Sequence, residues 1–332
     1  MRLGVAAAVV EGVLLPGDVE IADGRVVAVG LAGAGTGAAI PGLVDLQVNG
    51  LAGVDFAAAD TSGYRRASEA LLEHGVTAFQ PTLITAPEET LVAALTEVPR
   101  SRNVIGAHLE GPFISPERLG AHPADARLDP DRALLERLLA AGPVTQVTLA
   151  PELDGALDLI DLLCERGVVV SCGHSDATAE EAQRAFDRGA LTVTHLFNAM
   201  RPFAHRHPGI GGAALAREDV TVQLIADGVH LADETLLLAW RAAAGRAALV
   251  SDQIAGAPRR PDGMLTGSNT PLIDGVRRLH ALGVPLADAV NAATRVPAGI
   301  ARRPDFGTLT PGAAADVVVL DDALEIVRVI SG

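Results

Sequence analysis

Eight short β-rich runs alternate with helical patterns between residues 40 and 252, and this alternation leaves the chain few folds to choose from. The runs are 40–48 (IPGLVDLQV), 76–84 (VTAFQPTLI), 104–110 (VIGAHLE), 144–150 (VTQVTLA), 168–174 (VVVSCGH), 191–197 (LTVTHLF), 220–226 (VTVQLIA) and 247–252 (AALVSD). Helical periodicity fills the gaps, as in 61–74 (TSGYRRASEALLEH) and 178–188 (TAEEAQRAFDR). Eight strand–helix units in about 210 residues match the count and size of an α/β fold of the (β/α)₈, or TIM barrel, type. A doubly wound open sheet is the rival. No Gly-rich dinucleotide fingerprint follows the first run, which counts against it.

The two ends read differently. Residues 1–39 suggest short strands, with Asp23-Gly24 as a hairpin turn between VEIA and RVVAVG. Residues 306–332 look similar, with turns at Pro311-Gly312 and near Asp321. We expect 1–39 and 306–332 to pair as one small discontinuous β domain of sandwich-like character, flanking a barrel at 40–305. The Gly/Ala stretch 31–39 is the expected junction.

Composition narrows the function classes. Hydrophobic residues make up 49% of the 332 positions, enough for a large packed core. The net charge of −15 argues against nucleic acid or an anionic membrane as partner, and no apolar run is long enough to span a bilayer. Two cysteines, Cys164 and Cys172, make no disulfide framework, so a reducing cytoplasm is the expected setting. Cys172 shares strand parity with His174 and is expected inside the barrel as a filler; Trp240, on a helix stripe, reads as core. The chain contains no lysine at all, which excludes Schiff-base, P-loop and metal-bridging carbamylated lysines.

In a barrel, reactive groups sit at the carboxyl ends of the strands. The first run ends in Gln47 and Asn49, the third in His108 and Glu110, the fifth in His174. The sixth carries His195, with Asn198 beyond it; the seventh leads to Asp227 and His230, and the eighth ends in Asp252. Each has an ordinary structural reading: Glu110 as a loop cap, His174 as a helix-entry residue, His195 as a satisfied core histidine, Asp252 as an N-cap. Together they say more. Two imidazoles and a carboxylate at a barrel mouth match a zinc-type catalytic site with a position left for water. A carboxylate beside it, Asp252, suits a general base and acid. His230 suits a substrate carbonyl or hydroxyl. His122, Arg206 and His207 would offer an anion donors and positive charge, and Asn198 and Ala199 would add backbone amides.

The motifs PGLVDLQVNG (41–50), HLEGPF (108–113), GAH (120–122), GHSDAT (173–178), THLFNAM (194–200), RHPG (206–209), IADGVH (225–230), VSD (250–252), LTGS (265–268) and GTLTPGAAAD (307–316) occur in that order. With this ordered set the chain resembles the N-acetylglucosamine-6-phosphate deacetylases of the amidohydrolase superfamily. The resemblance implies a TIM barrel with a small β domain built from both termini. It implies Glu110, His174 and His195 as metal ligands and Asp252 as the catalytic acid/base. His122, Asn198, Ala199, Arg206 and His230 match substrate-contacting positions, as do Leu265, Thr266, Gly267 and Ser268; Ala121 matches a backbone contact to the sugar. The implied reaction is deacetylation of N-acetylglucosamine 6-phosphate to glucosamine 6-phosphate and acetate, in amino-sugar catabolism. A different N-acyl amino sugar, such as N-acetylgalactosamine 6-phosphate or an unphosphorylated sugar, is the alternative. A catalytically inactive barrel acting as a binding protein is the remote one.

Two departures carry chemistry. Two-metal members place His-x-His on the first strand, where this chain has Gln47 and Asn49. One divalent ion, zinc, is therefore expected, with these amides in a supporting or water-holding role. The segment between Asp252 and LTGS is short, only Gln253 to Met264, although it borders the substrate pocket in relatives. In relatives the phosphate contact corresponding to Arg206 can cross a dimer interface, so a homodimer is expected.

Overall fold

The computed structural model describes residues 1–33 and 35–332. Eight strands, Leu43–Val48, Val76–Ile84, Ala107–Glu110, Val144–Leu149, Val169–Cys172, Thr192–Val193, Thr221–Leu224 and Ala247–Leu249, lie side by side in sequence order, every neighbouring pair parallel. The last meets the first at their carboxyl ends: the Asp252 amide donates to Gln47 O at 2.9 Å and the Asn49 amide to Gln253 O at 2.7 Å. The ring so closed is the TIM barrel that the alternation predicts. After each strand comes a helix, from Thr61–Glu73 to Leu272–Ala281. Local signals start several of them. Asp60 and Asp131 accept backbone N–H groups at N-caps, and Thr178 with Glu181 forms a capping box ahead of Ala179–Asp187, which buries Ala182, Ala185 and Phe186.

Apolar side chains fill the layer between strands and helices, while hydroxyls and one imidazole line part of the interior. His108 Nε2 is 2.7 Å from Thr148 Oγ1, Thr148 is 2.7 Å from Thr194, and Thr194 is 2.5 Å from Ser171. Burial pushes His108 down to about 4, so its ring is neutral and serves this network. The expectation for Cys172 fails here. Ser171 faces the interior, whereas Cys172 lies buried in the apolar layer, where burial raises its thiol pKa. Parity does not carry on to His174 because the chain leaves the strand after Cys172 and His174 adopts φ +48°. Trp240 packs, partly buried, against the same apolar cluster.

Both ends meet in a five-stranded sheet ordered Ile326–Ile330, Val317–Leu320, Ala38–Pro41, Ala7–Val10 and Val13–Pro16. Asp23 and Gly24, at φ +51° and +70°, turn the separate hairpin Asp18–Ala22/Arg25–Leu31. A small core of Val5, Val19, Val26, Leu309 and Val317 lies beneath. Ile40 and Pro41, assigned above to the first barrel strand, belong to this sheet, paired with Val318 and Val317. Within the stretch 31–39 expected as the junction, Ala34 lies outside the described residues; the passage into the barrel falls at Gly42. Among the described residues no helix is long and apolar enough to cross a membrane.

Candidate active site

Several side chains at the carboxyl end of the barrel are aimed by unusual backbone. His174, His195, Phe197, Ala199 and Asp252 all have φ between +31° and +72°, a region costly for residues with a Cβ. These departures end the strands early, most visibly the sixth, which is only Thr192–Val193 although the apolar run continues to Phe197. They also turn His174, His195, Ala199 and Asp252 toward one cavity, while Phe197 packs away from it against Phe203.

There, Glu110 Oε1 lies 2.9 Å from His195 Nε2 and 3.2 Å from His174 Nε2, and the two imidazole nitrogens are 3.1 Å apart. His174 Nδ1 is 3.0 Å from the Arg118 carbonyl oxygen, which can only accept, so Nδ1 carries the proton and Nε2 presents a lone pair. A lone pair facing a second imidazole nitrogen and a carboxylate oxygen, all buried, calls for a cation between them. Ligand–zinc distances of about 2.0–2.1 Å in a tetrahedron separate neighbouring ligand atoms by roughly 3.3 Å, close to these three edges. His122 offers a second grouping: Glu110, His122 and His174 bring potential ligand atoms within 4.8 Å of one another. His122 Nε2 is, however, 3.6 Å from Glu110 Oε2, and its Nδ1 is held at 2.8 Å by Thr85 Oγ1. The tighter triangle runs through His195, and His122 flanks it. Burial lowers His122 to about 4. Burial alone would raise Glu110, yet the imidazoles of His122, His174 and His195 gathered around it hold it well below the ordinary carboxylate range.

Asp252 stands beside the triangle. Gln47 Nε2 bridges the two carboxylates, 3.1 Å from Glu110 Oε1 and 3.1 Å from Asp252 Oδ1, and Asn49 Nδ2 donates to Asp252 Oδ1 at 2.8 Å. The amides of the first strand thus occupy the ground between Glu110 and Asp252. Burial and the neighbouring charge of Glu110 raise Asp252 to about 8. Its backbone is gripped as well: the Ser268 amide donates to Asp252 O at 2.8 Å, and a Cβ at Gly267, φ +141°, would lie 2.8 Å from that oxygen.

A cavity of about 670 Å³ opens over these groups. Asn49, Glu110, Ala121, His122, His174, His195, Asn198, Ala199, His230, Asp252, Leu265, Thr266 and Gly267 all line it. His230 is fixed from behind. Its Nδ1 is 2.8 Å from Asp227 Oδ2, and two backbone amides reach Asp227 Oδ1. Burial would raise Asp227, but the hydrogen bond from the His230 ring and those from the His230 and Val229 amides hold it low. Several sequence candidates, His207 on the exposed 204–207 turn among them, stay off the cavity wall. Gln47 is buried beneath it, Ser268 is spent on backbone contacts, and Arg206 is exposed in the turn bridged by Ala204 and His207.

Sequence reasoning missed the supports behind His174 and the nature of the short segment. Glu152 accepts from Ser175 Oγ at 2.7 Å and from the Asp176 amide at 2.6 Å, while Arg118 and Arg201 clasp Asp176. Glu152 stands two residues past the run 144–150, a strand-end position of the kind that singled out the other residues. The segment 253–264 is no slack loop: Arg259 pairs with Leu265 in a small hairpin, and Arg260 Nη2 reaches across to Ala121 O at 2.8 Å.

The model of the amidohydrolase family matches residues 38–331. The chain belongs to the amidohydrolase family. It is 39% identical over 327 residues to the human N-acetylglucosamine-6-phosphate deacetylase, across 86% of this chain and 80% of that one. It is 33% identical over 320 residues to the N-acetylgalactosamine-6-phosphate deacetylase of Escherichia coli O157:H7, across 87% and 85%. The crystal structure of N-acetyl-D-glucosamine-6-phosphate deacetylase from Mycobacterium smegmatis superposes with a TM-score of 0.95 at 34% identity, covering 100% of this chain and 98% of that one. A mutant of that mycobacterial amidohydrolase has been solved in complex with N-acetyl-D-glucosamine-6-phosphate; it matches with a TM-score of 0.94 at 34% identity, over 100% and 97% of the chains.

Proposed function

We propose that this amidohydrolase hydrolyses the acetamide of N-acetylglucosamine 6-phosphate, giving glucosamine 6-phosphate and acetate in amino-sugar catabolism. The triangle of Glu110 Oε1, His174 Nε2 and His195 Nε2, with Asp252 beside it under an open cavity, carries the reading. The human and mycobacterial relatives support the sugar, as does the mycobacterial complex. The three atoms suit one divalent ion, and their nitrogen and oxygen character favours zinc. Bound there, such an ion supplies Lewis acidity and makes water a competent nucleophile near neutral pH.

The rest falls to the chain's own groups. Asp252 takes a proton from the attacking water and returns it to the departing nitrogen. Asn49 and Gln47 hold its carboxylate toward the cavity. His230, pinned by Asp227, keeps Nε2 for the substrate carbonyl as charge develops on that oxygen. Asn198, Ala199, Ala121, Leu265, Thr266 and Gly267 shape the sugar site. A cytoplasmic homodimer completes the reading, the dimer being checked by mass in solution.

Acetate release by zinc-loaded protein tests it, with N-acetylglucosamine 6-phosphate, N-acetylgalactosamine 6-phosphate and unphosphorylated N-acetylglucosamine side by side. Preferred turnover of the first supports the proposal. Preferred turnover of the second, the substrate named for the Escherichia coli relative, overturns the assignment of the sugar but keeps the chemistry. Absence of turnover overturns both.

A further inference from the structure

Two neighbouring imidazoles in the site are backed by opposite kinds of hydrogen-bonding group. The ring centroids of His122 and His174 lie 4.2 Å apart, tilted by 49°. Behind His174 Nδ1 stands a carbonyl, that of Arg118, which leaves Nε2 as the lone-pair nitrogen. Behind His122 Nδ1 stands a backbone amide: the Thr85 N–H donates to it over 3.4 Å. An amide N–H can only donate, so the ring nitrogen that receives it is unprotonated. A neutral imidazole then carries its proton on the other nitrogen, Nε2.

The surroundings of Thr85 support this. The residue is 1% exposed, and the His122 ring nitrogen is the acceptor its buried amide finds. With Nδ1 unprotonated, the Thr85 hydroxyl, 2.8 Å away, donates to it as well. Gly111, the residue after Glu110, makes room for that hydroxyl, since a Cβ there would lie 2.2 Å from Thr85 Oγ1. The reverse tautomer fares worse on two counts. It takes the acceptor from the Thr85 amide, and it sets the Nε2 lone pair against Glu110 Oε2 at 3.6 Å, two acceptors opposed in a buried site. With the proton on Nε2, an N–H faces that oxygen, and Glu110 Oε1 stays with His174 and His195.

We propose that Thr85 is a positioning residue that fixes His122 as an Nε2–H donor, which keeps this ring out of the cation's coordination. This rests on the single-ion reading above and deepens it, by naming what decides which imidazoles ligate. The test is nitrogen NMR of protein with isotope-labelled histidine rings, before and after zinc, on wild type, Thr85→Val and Thr85→Ser. The His122 signals are those missing from His122→Ala. Protonated and lone-pair ring nitrogens resonate far apart, so the tautomer is read directly. Metal-free wild type is expected to show His122 protonated at Nε2. Zinc is expected to leave that proton in place and to shift the signals of His174 and His195. Losing one neutral hydrogen bond moves an equilibrium by about 2- to 10-fold. Thr85→Val is expected to show that change in tautomer ratio as a displaced Nδ1 signal, and Thr85→Ser to match wild type. A wild-type His122 protonated at Nδ1, an Nε2 that loses its proton to zinc, or a Thr85→Val spectrum identical to wild type overturns the proposal. Zinc that shifts no histidine signal overturns the single-ion reading, while the tautomer stands or falls on the metal-free spectrum.

Discussion

Asn49 at the end of the first barrel strand donates to Asp252 after the eighth, over 2.8 Å, where the ring of strands closes. That bond orients the carboxylate without touching the cation site. Asn49→Ala removes a hydrogen bond to a charged group, worth about 1.5–3 kcal/mol. The expected outcome is a kcat lower by about 10- to 100-fold with KM nearly kept. A change confined to KM contradicts the orienting role.

Asp252→Asn keeps the size of the side chain and removes its ability to take a proton. Turnover should fall by about 10²- to 10⁴-fold, the range of general acid–base catalysis. Elemental analysis should show the metal content of wild type, since Asp252 lies outside the triangle. Retained activity contradicts its role.

The two histidine groupings differ in one member, so substitution separates them. After dialysis, His195→Ala should lack stoichiometric metal, whereas His122→Ala should keep it and lose activity through the substrate side. The thermal midpoint provides a second reading. Added zinc should raise it for wild type and His122→Ala, and leave His195→Ala where it was. The reverse pattern assigns the ion to His122.

Asp45 makes stability depend on pH. It is fully buried, Oδ1 accepts from the Gln47 and Ser251 amides, and Oδ2 has no partner, so burial raises it to about 6 from an ordinary 3.8. Well below pH 3.8 it is protonated in both folded and unfolded chains. As pH rises, the unfolded chain ionises first, so the stability present at low pH is lost as pH climbs through about 6. The loss is about 3 kcal/mol, from 1.36 kcal/mol per unit. Urea unfolding of wild type should show this fall between pH 4 and 7, and Asp45→Asn should lack it. Parallel profiles contradict the assignment.

Much of the barrel was legible because strand ends punctuate apolar runs with polar residues. Glu110, His174, His195 and Asp252 each stand at such an end, and the structure brings all four together. Interior geometry was less legible. Parity served while the backbone stayed extended, and it failed at Cys172 and along 194–197, where positive φ values break the alternation. The small hairpin after Asp252 was illegible for another reason. The segment QIAGAPRRPDGM has neither apolar periodicity nor strand composition, and its hairpin exists through backbone bonds to Leu265 and Thr266.

The sheet joining the two ends sets a timetable for biosynthesis. Ala38–Pro41 finds one neighbour, Ala7–Val10, as soon as both have left the ribosome, but its other neighbour, Val317–Leu320, is made only after the whole barrel. Until then the open edge of Ala38–Pro41 is free to pair with any extended segment nearby. The final residues therefore act as a closing stitch, and a nascent chain stalled before residue 317 would carry a nearly finished barrel together with a sticky edge for quality control to find.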